Sequence, residues 1–340
     1  MDNKSIKFSQ YFHNWLYGEN GYYSHYKTIG KDGDFYTAVS SSRFFGGSIG
    51  KRVVDTIESG FLENNTTIVE IGAHHGYLLA DMIEFIYTLQ PELLKTLKFA
   101  IVERFEHLRV AQIKYFQECF GDEVTLIHYN DISEVKLDSA FVVANEIFDA
   151  FSCELVYTTK DDEFQTAIVK DDKIEFVTCE DENIKNICNK YKITKGELAV
   201  GYEEFANTLG KAIKKFEFVT FDYGEKYPRN DFSCRIYEKH KVFPLFDEEI
   251  NLKDLIGNSD ITYDVNFSHL IDSFEAVGIT NTKYDTQLKA LVDFGIIELL
   301  EILHKNVDES TYLREANKIK TLLNPTGMGD RFKVAIFQKS

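Results

Sequence analysis

A glycine-bearing turn preceded by an acidic residue is the first place in this sequence where chemistry is expected. Residues 66–81 read TTIVEIGAHHGYLLAD, with Glu70 two positions before Gly72 and a second glycine, Gly76, four positions after it. β-branched residues come before the turn, and apolar residues at helical spacing follow it. Backbone N–H groups at a helix N-terminus beside such a turn bind polar or anionic groups. We therefore expect a ligand at this turn.

Further polar residues follow later apolar runs. Glu103 and Asp131 each come at the end of one run, and Asn145 with Glu146 follows another. Glu146 and Asp149 form a pair of carboxylates with an aromatic residue between them. Such a pair suits a cationic group such as the guanidinium of an arginine. Arginine stays protonated until about pH 13.8, and carboxylates beside it are needed to orient the lone pair of a nitrogen that is to react. A capped helix start is the alternative reading of this pair.

The elements that must position these side chains alternate between strands and helices. Apolar runs predict strands, and helical periodicity or loops separate them. This alternation predicts a Rossmann-like, seven-stranded, mostly parallel sheet, in which the last strand pairs antiparallel with its predecessor. The predicted strands are 67–71, 97–103, 124–129, 140–144, 216–221, 279–284 and 332–337.

The chain is predicted to contain an N-terminal segment and one main domain with insertions. Residues 1–62 are expected to form helices and a loop over the active site, and residues 63–340 the α/β domain. Alternating apolar and polar residues over 153–179 predict an inserted antiparallel hairpin, and a helical stretch is expected from about 287 to 323. The insertions are placed at about 151–202, 225–262 and 287–327.

Charge and composition limit the partners. The chain of 340 residues carries 38 Lys and Arg against 55 Asp and Glu, a formal net charge of −17. This balance disfavours unaided binding to nucleic acid or to an anionic membrane and favours a basic protein partner. Solubility alone is the simpler explanation of the charge.

Other classes of site lack their sequence signatures. The five cysteines form no C-x-x-C pair, and the histidines show no metal-ligand spacing, so we expect reduced thiols and no metal. The one G-x-S-x-G run, residues 46–50, lies inside the helix predicted from Phe44 to Leu62 and not in a strand-to-helix elbow, and no phosphate-binding P-loop occurs. The N-terminus has no targeting pattern, and no apolar window approaches the roughly 18 residues of a membrane span. These features predict a cytoplasmic protein.

The acid-and-glycine spacing of the turn resembles a known motif. Glu70, Gly72 and Gly76 give E-x-G-x-x-x-G, which is similar to motif I, E/D-x-G-x-G-x-G, of the class I S-adenosylmethionine methyltransferases. It differs from the G-x-G-x-x-G of dinucleotide-binding proteins. The resemblance implies S-adenosylmethionine as methyl donor, while a plain strand-to-helix turn stays open as the alternative.

Each acid then has a possible role toward the donor and a structural alternative. Glu103 would accept hydrogen bonds from the ribose hydroxyls, or complement the dipole of the following helix. Asp131 would meet the adenine amino group, or cap a turn. Glu70 would anchor the amino-acid end of the donor, or bond to its own turn. The donor site implied by the resemblance comprises Glu70, Gly72, Ala73, His74, Gly76, Glu103, Asp131, Ile132, Gly33, Asp34 and Thr37.

Six motifs in order resemble the MidA family of S-adenosylmethionine-dependent methyltransferases over nearly the whole chain. The resemblance implies a class I methyltransferase fold and a protein arginine as acceptor, as in a subunit of respiratory complex I. Asn145, Glu146 and Asp149 would then be the catalytic residues. The motifs are residues 21–24 together with 33–37, the turn at 70–76, 144–150, 222–224, 264–267, and 328–334.

Two positions depart from the family pattern. The first loop usually continues T-x-P-E, whereas this chain has Thr37 followed by Ala-Val-Ser, so that Ser40 stands in place of the acid. His74 replaces the middle glycine of the turn. A side chain at that position would crowd the donor or force a different path of the loop, because glycine permits close approach and positive φ at little cost.

Two other functions stay open at this point. The chain could be a fold-retaining assembly factor that acts by binding a partner, which the His74 substitution and the net charge favour. It could also be a small-molecule methyltransferase. The target protein and the oligomeric state are not predicted by the sequence.

Overall fold

The structure, a computed structural model, describes residues 5–25, 37–238, 241–248 and 250–340. Gly33 and Asp34, two residues of the predicted donor site, lie outside the described residues. The chain divides into two compact units, and the predicted boundary at residues 62 and 63 stays a prediction. Unit 1 comprises Met1–Phe35, Ile147–Glu204 and Tyr223–Ser273, and unit 2 comprises Tyr36–Glu146, Phe205–Asp222 and Phe274–Ser340.

Twelve α-helices lie within the described part of the chain. They are α1 (Phe8–Tyr17), α2 (Ala38–Ser41), α3 (Phe44–Glu58), α4 (Tyr77–Leu89), α5 (Glu106–Phe120), α6 (Glu182–Tyr191), α7 (Tyr202–Ala212), α8 (Leu252–Leu255), α9 (Phe267–Glu275), α10 (Gln287–Asp293), α11 (Ile296–Asn306) and α12 (Glu309–Leu323).

The same residues form sixteen strands. They are β1 (Ile6–Lys7), β2 (Thr67–Ile71), β3 (Lys98–Val102), β4 (Leu126–Tyr129), β5 (Leu137–Asn145), β6 (Cys153–Thr158), β7 (Phe164–Lys170), β8 (Lys173–Thr178), β9 (Lys195–Ala199), β10 (Ile213–Glu225), β11 (Arg235–Glu238), β12 (Lys241–Pro244), β13 (Asp260–Thr262), β14 (Val265–Asn266), β15 (Thr280–Thr286) and β16 (Phe332–Lys339).

A row of seven strands forms the centre of unit 2, in the order β15-β16-β10-β5-β2-β3-β4. The pairs β10-β5, β5-β2, β2-β3 and β3-β4 are parallel, and β15 pairs antiparallel with β16. The predicted mostly parallel sheet with an antiparallel final pair is therefore confirmed. Its central strands are continuously apolar because a parallel sheet is covered on both faces; residues 140–144 of β5, for example, are fully buried.

Helices α3 and α4 pack together in unit 2 because glycines on α3 allow close approach. A Cβ atom added at Gly50 would lie 2.8 Å from the Met82 carbonyl oxygen, so only glycine fits there. Ile49 and Val53 of α3 and Met82 and Ile83 of α4 are buried in the same apolar core. This pairing fixes the helix that follows the glycine turn.

Unit 1 contains the hairpin predicted for residues 153–179. Strands β7 and β8 pair antiparallel, with Lys170 opposite Lys173, and the sheet continues in the order β1-β7-β6-β9. A second sheet has the order β12-β11-β13. Helix α1 is anchored in this unit by Trp15, which is fully buried and donates its indole N–H to Ser259 O at 2.8 Å.

Two predicted helices have different bounds in the structure. The stretch from 287 to 323 is three helices, because Gly295 takes φ +81° at the start of α11 and the Asp308 side chain caps the start of α12. The helix expected from Val265 begins two residues later, since Val265 and Asn266 pair with Gly224 and Glu225 of β10. No helix of the described residues combines the length and apolar character that crossing a bilayer requires.

Candidate active site

The carboxyl ends of the central strands of unit 2 are level with one another. Ile71 at the end of β2 pairs with Val102 of β3 and with Ala144 of β5, and Val102 pairs with Tyr129 of β4. The residues that follow these strands therefore emerge at one edge of the sheet, which is where open α/β sheets bind ligands. The glycine turn, Glu103, Asp131 and Asn145 all come from this edge.

The turn after β2 contains three residues with a left-handed backbone. Gly72, His74 and Gly76 have φ values of +72°, +45° and +79°. Gly76 closes the turn by donating its N–H to Ala73 O at 2.7 Å, and α4 begins at the next residue. His74 thus adopts the conformation that a glycine favours, at a cost of roughly 1–2 kcal/mol. The side chain at this position does not prevent the backbone from being glycine-like.

A buried glutamine holds the turn at His74. Gln112 of α5 is fully buried and donates its amide N–H to His74 O at 2.7 Å. Its amide oxygen lies 2.9 Å from Nε2 of His128 on β4. Sequence reasoning missed both residues, because a polar side chain inside a helix or a strand carries no motif.

Glu70 is buried at the end of β2 and is bonded to the helix that follows the turn. Its Oε2 accepts the backbone N–H of Leu79 at 3.0 Å. Burial raises the pKa of Glu70 to about 8, with the nearby acids Asp81 and Glu103 acting in the same direction. The carboxyl is therefore largely protonated at neutral pH unless a cation lies beside it.

Glu103 and Asp131 both bond to the backbone just after them. Glu103 is buried, its Oε1 accepts the N–H of Phe105 at 3.0 Å, and burial raises its pKa. Asp131 is exposed, and hydrogen bonds from Ser133 lower its pKa. Ile132, the residue after Asp131 and the first of the turn Ile132–Glu134, is buried. The capping alternatives are thus present, and the predicted roles toward the donor stay predictions.

Thr37 begins α2 of unit 2 with a reciprocal cap. Its Oγ1 accepts the N–H of Ser40 at 3.2 Å, and Ser40 Oγ accepts the N–H of Thr37 at 3.0 Å. A Glu at the fourth position of T-x-P-E would accept the same N–H in a capping box. Ser40 therefore replaces the missing acid in this cap.

Asn145 and Glu146 leave β5 in an unusual arrangement. Asn145 donates Nδ2–H to Glu146 Oε1 at 2.8 Å, while its own Oδ1 is buried and has no hydrogen-bond partner among the described residues. Glu146 has φ +54° and donates its backbone N–H to Phe221 O of β10 at 2.8 Å. A buried acceptor without a partner costs free energy, so it is a place where a ligand N–H is favoured.

Asp149 belongs to unit 1, in the short turn Phe148–Ala150. Its side chain is buried and its carbonyl oxygen accepts the N–H of Tyr263 at 3.2 Å. Burial raises the pKa of Asp149 to about 7, while Arg235 opposes and Asp264 adds to this rise. Arg235 lies 2.8 Å from Asp264 and donates its Nε–H to Tyr237 OH at 3.0 Å.

Comparison with known proteins identifies the family. Residues 48–284 match the S-adenosyl-L-methionine-dependent methyltransferases. The chain belongs to this family. The methyltransferase uses S-adenosyl-L-methionine as its methyl donor, as the motifs predicted.

Solved structures agree with the fold. A COG1565 superfamily protein of Burkholderia thailandensis bound to S-adenosyl-homocysteine is 22% identical to this chain. Its TM-score is 0.84, over 98% of this chain and 88% of its own. The native structure of a COG1565 superfamily protein from that organism is also 22% identical to this chain. Its TM-score is 0.80, over 98% of this chain and 87% of its own. The predicted class I methyltransferase fold is confirmed.

Curated relatives are similar along most of the chain. The mitochondrial protein arginine methyltransferase NDUFAF7 of Xenopus tropicalis is 24% identical over 92% of the methyltransferase and 77% of its own length. The Rattus norvegicus protein of the same name is 24% identical over 92% of this chain and 76% of its own length. The prediction of a cytoplasmic location is wrong by this comparison, because these relatives are named as mitochondrial proteins. The N-terminal pattern on which it rested gave no positive signal for the cytoplasm.

The residues at the sheet edge fit the donor chemically. S-adenosylmethionine carries an ammonium, a carboxylate, ribose hydroxyls and a sulfonium. The edge offers backbone N–H groups at the start of α4, the buried carboxyl groups of Glu70 and Glu103, and the Asn145 oxygen that no described residue bonds. Acceptors and donors of the required kinds are therefore present in unit 2.

Proposed function

We propose that this methyltransferase modifies an arginine side chain of a protein substrate. The observation that carries the proposal is the end of β5, where a buried Asn145 oxygen that no described residue bonds lies beside the carboxylate of Glu146. A guanidinium presents N–H groups in a planar fork that suits two such acceptors. The names of the curated relatives support the same acceptor.

The turn from Gly72 to Gly76 and the acids beside it would hold the donor. In this proposal Glu103 accepts the ribose hydroxyls, Asp131 and Ile132 adjoin the adenine, and Glu70 faces the ammonium. When bound, the donor supplies an electrophilic methyl group on its sulfonium. The chain contributes mainly by orientation and electrostatics, because in-line displacement needs few reacting protein groups.

The acceptor residues would orient the guanidinium and manage its proton. Asn145 Oδ1 and Glu146 accept N–H groups, so that one nitrogen lone pair faces the methyl group. Asp149 is the second carboxylate that the sequence assigns to the guanidinium. A carboxylate is needed because an arginine nitrogen must lose a proton as it gains the methyl group.

A subunit of respiratory complex I is the substrate class that the family resemblance implies. Mass spectrometry of arginine methylation in complex I, from cells with and without the gene, tests this finer proposal. Loss of one methylarginine in the deletion strain supports it. Unchanged methylation of every complex I arginine contradicts the substrate class while leaving arginine as acceptor untouched.

Labelled donor and a lysate from the deletion strain test the acceptor itself. The wild-type protein should label a protein, and hydrolysis should release methylarginine. Glu146→Gln and Asp149→Asn should each lower labelling at least about 100-fold, whereas Glu123→Gln, an exposed acid after α5, should not change it. Label found only in small molecules would exclude a protein arginine.

A further inference from the structure

Three elements of unit 2 meet at one buried amide. Gln112 on α5 joins the main chain of the glycine turn to the edge strand β4 through its bonds with His74 O and His128 Nε2, at 2.7 and 2.9 Å. Phe116, one helical turn further on, packs beneath the same turn, since a Cβ atom at Gly76 would lie 3.0 Å from its ring. Helix α5 is therefore fitted to the backbone of this turn.

The contact falls on the residue that departs from the family pattern. A left-handed backbone is unfavourable for a histidine, whereas a glycine adopts it at little cost. A hydrogen bond that exists only when His74 O faces Gln112 favours that conformation by a comparable amount. The Gln112 amide can thus offset the cost of the side chain at position 74.

The direction of each hydrogen bond follows from the amide. Because the Gln112 nitrogen donates to His74 O, its oxygen faces His128, and Nε2–H of His128 is the donor. His128 is half-buried, and burial lowers its pKa, with Arg109 acting in the same direction. His128 fixes the orientation of the amide, and the amide fixes the turn.

We propose that Gln112 and His128 are positioning residues for the methyl donor: together they hold the turn in the left-handed conformation in which it binds S-adenosylmethionine. This inference rests on the proposed donor site at the turn. Neither side chain needs to touch the donor, because both act through the backbone of His74. It explains how a chain with histidine at the middle-glycine position retains a site for the donor.

Calorimetric titration with S-adenosylhomocysteine is the direct test. Gln112→Met keeps the length of the side chain and removes both hydrogen bonds, so it should raise the Kd about tenfold. Gln117→Met, on the same helix but exposed, should leave the Kd unchanged. In turnover, Gln112→Met should raise the KM for the donor more than it lowers kcat. Thermal unfolding of each variant separates this effect from loss of fold.

A second substitution separates positioning from general stabilisation. In a His74→Gly background the left-handed turn no longer needs support, so Gln112→Met should raise the Kd only about twofold. His128→Gln, which keeps an N–H donor, should retain more affinity than His128→Leu.

The results distinguish two failures. An equal Kd in the wild type and Gln112→Met, or an equal loss with and without His74→Gly, overturns the positioning role. A wild-type protein that is folded and gives no heat with millimolar ligand overturns the proposed donor site instead.

Discussion

Asp149 titrates close to neutral pH because it is buried in unit 1. Its pKa is raised to about 7, so its carboxylate form appears as the pH rises through 7. If that form orients the substrate, kcat/KM should increase about tenfold per pH unit below 7 and level off above it. A pH profile between 5.5 and 9 measures this. Asp149→Asn should lose the rise together with most of the activity, and a flat wild-type profile would contradict the role.

Glu70 should make the protein less stable as the pH rises. Its pKa is about 8 in the folded protein and about 4.3 in an unfolded chain. Between these values the folded state holds a proton that the unfolded state has released, so the stability from this group falls from about pH 4.3 to pH 8.

Glu70→Gln should remove this part of the pH dependence. The amide oxygen can still accept the Leu79 N–H, and the neutral side chain stays neutral when buried. In urea unfolding without ligand, the free energy of unfolding of the variant should match that of the wild type near pH 5 and exceed it near pH 8. If the free energy of unfolding changed with pH in the same way in both proteins, Glu70 would be ionised in the folded state.

Helix α3 is tied to the sheet of unit 2 by a charge pair. Arg52 donates to both carboxylate oxygens of the fully buried Glu217 on β10, at 2.7 and 2.8 Å, and Gln338 of β16 donates to Oε2 at 2.7 Å. Arg52→Met leaves a buried carboxylate without its cation and should lower the free energy of unfolding by about 3 kcal/mol.

Lys95→Met is the matched control for the ion pair. Lys95 pairs with Glu92 on the surface, where such pairs contribute about 0–1 kcal/mol. Chemical denaturation should therefore separate the two variants clearly. If Arg52→Met were as stable as the control, the pair between α3 and the sheet would contribute little.

Elements whose burial is complete were predicted well from the sequence. Strands β2 and β5 read as apolar runs because parallel strands are covered on both faces. The stretch from 287 to 323 was predicted as one helix because its apolar spacing continues across Gly295 and Asp308. Those two residues stand at the starts of α11 and α12 and divide the stretch through local capping, which periodicity does not record.

The candidate site was predictable only where a motif marks it. The turn at Gly72 and Gly76 and the acids at the strand ends follow from spacing and strand order. Gln112 could not be predicted, because its role depends on α5 packing beneath a turn more than 35 residues earlier in the chain. The left-handed conformation of His74 likewise could not be predicted from its residue type.

The whole molecule carries a formal net charge of −17, which should attract a basic substrate at long range. Salt screens such attraction, with a Debye length near 10 Å at 0.1 M. Raising the salt from 0.05 to 0.5 M should therefore lower kcat/KM for a basic protein or peptide at least about tenfold. The Kd of S-adenosylhomocysteine, which has no net charge, is the control and should change less than twofold. Equal effects on both would mean that the charge serves solubility alone.

The bond between Gln112 and His128 also couples the donor turn to the outer edge of the sheet. Strand β4 ends the row and pairs only with β3 among the described strands. If donor binding favours the conformation that this bond supports, then by linkage the donor must also favour the state in which β4 is hydrogen-bonded to β3. Amide hydrogen exchange in residues 126–129 should accordingly slow on addition of S-adenosylhomocysteine, and Gln112→Met should abolish the slowing. The edge strand would then report occupancy of a site that its own side chains do not form.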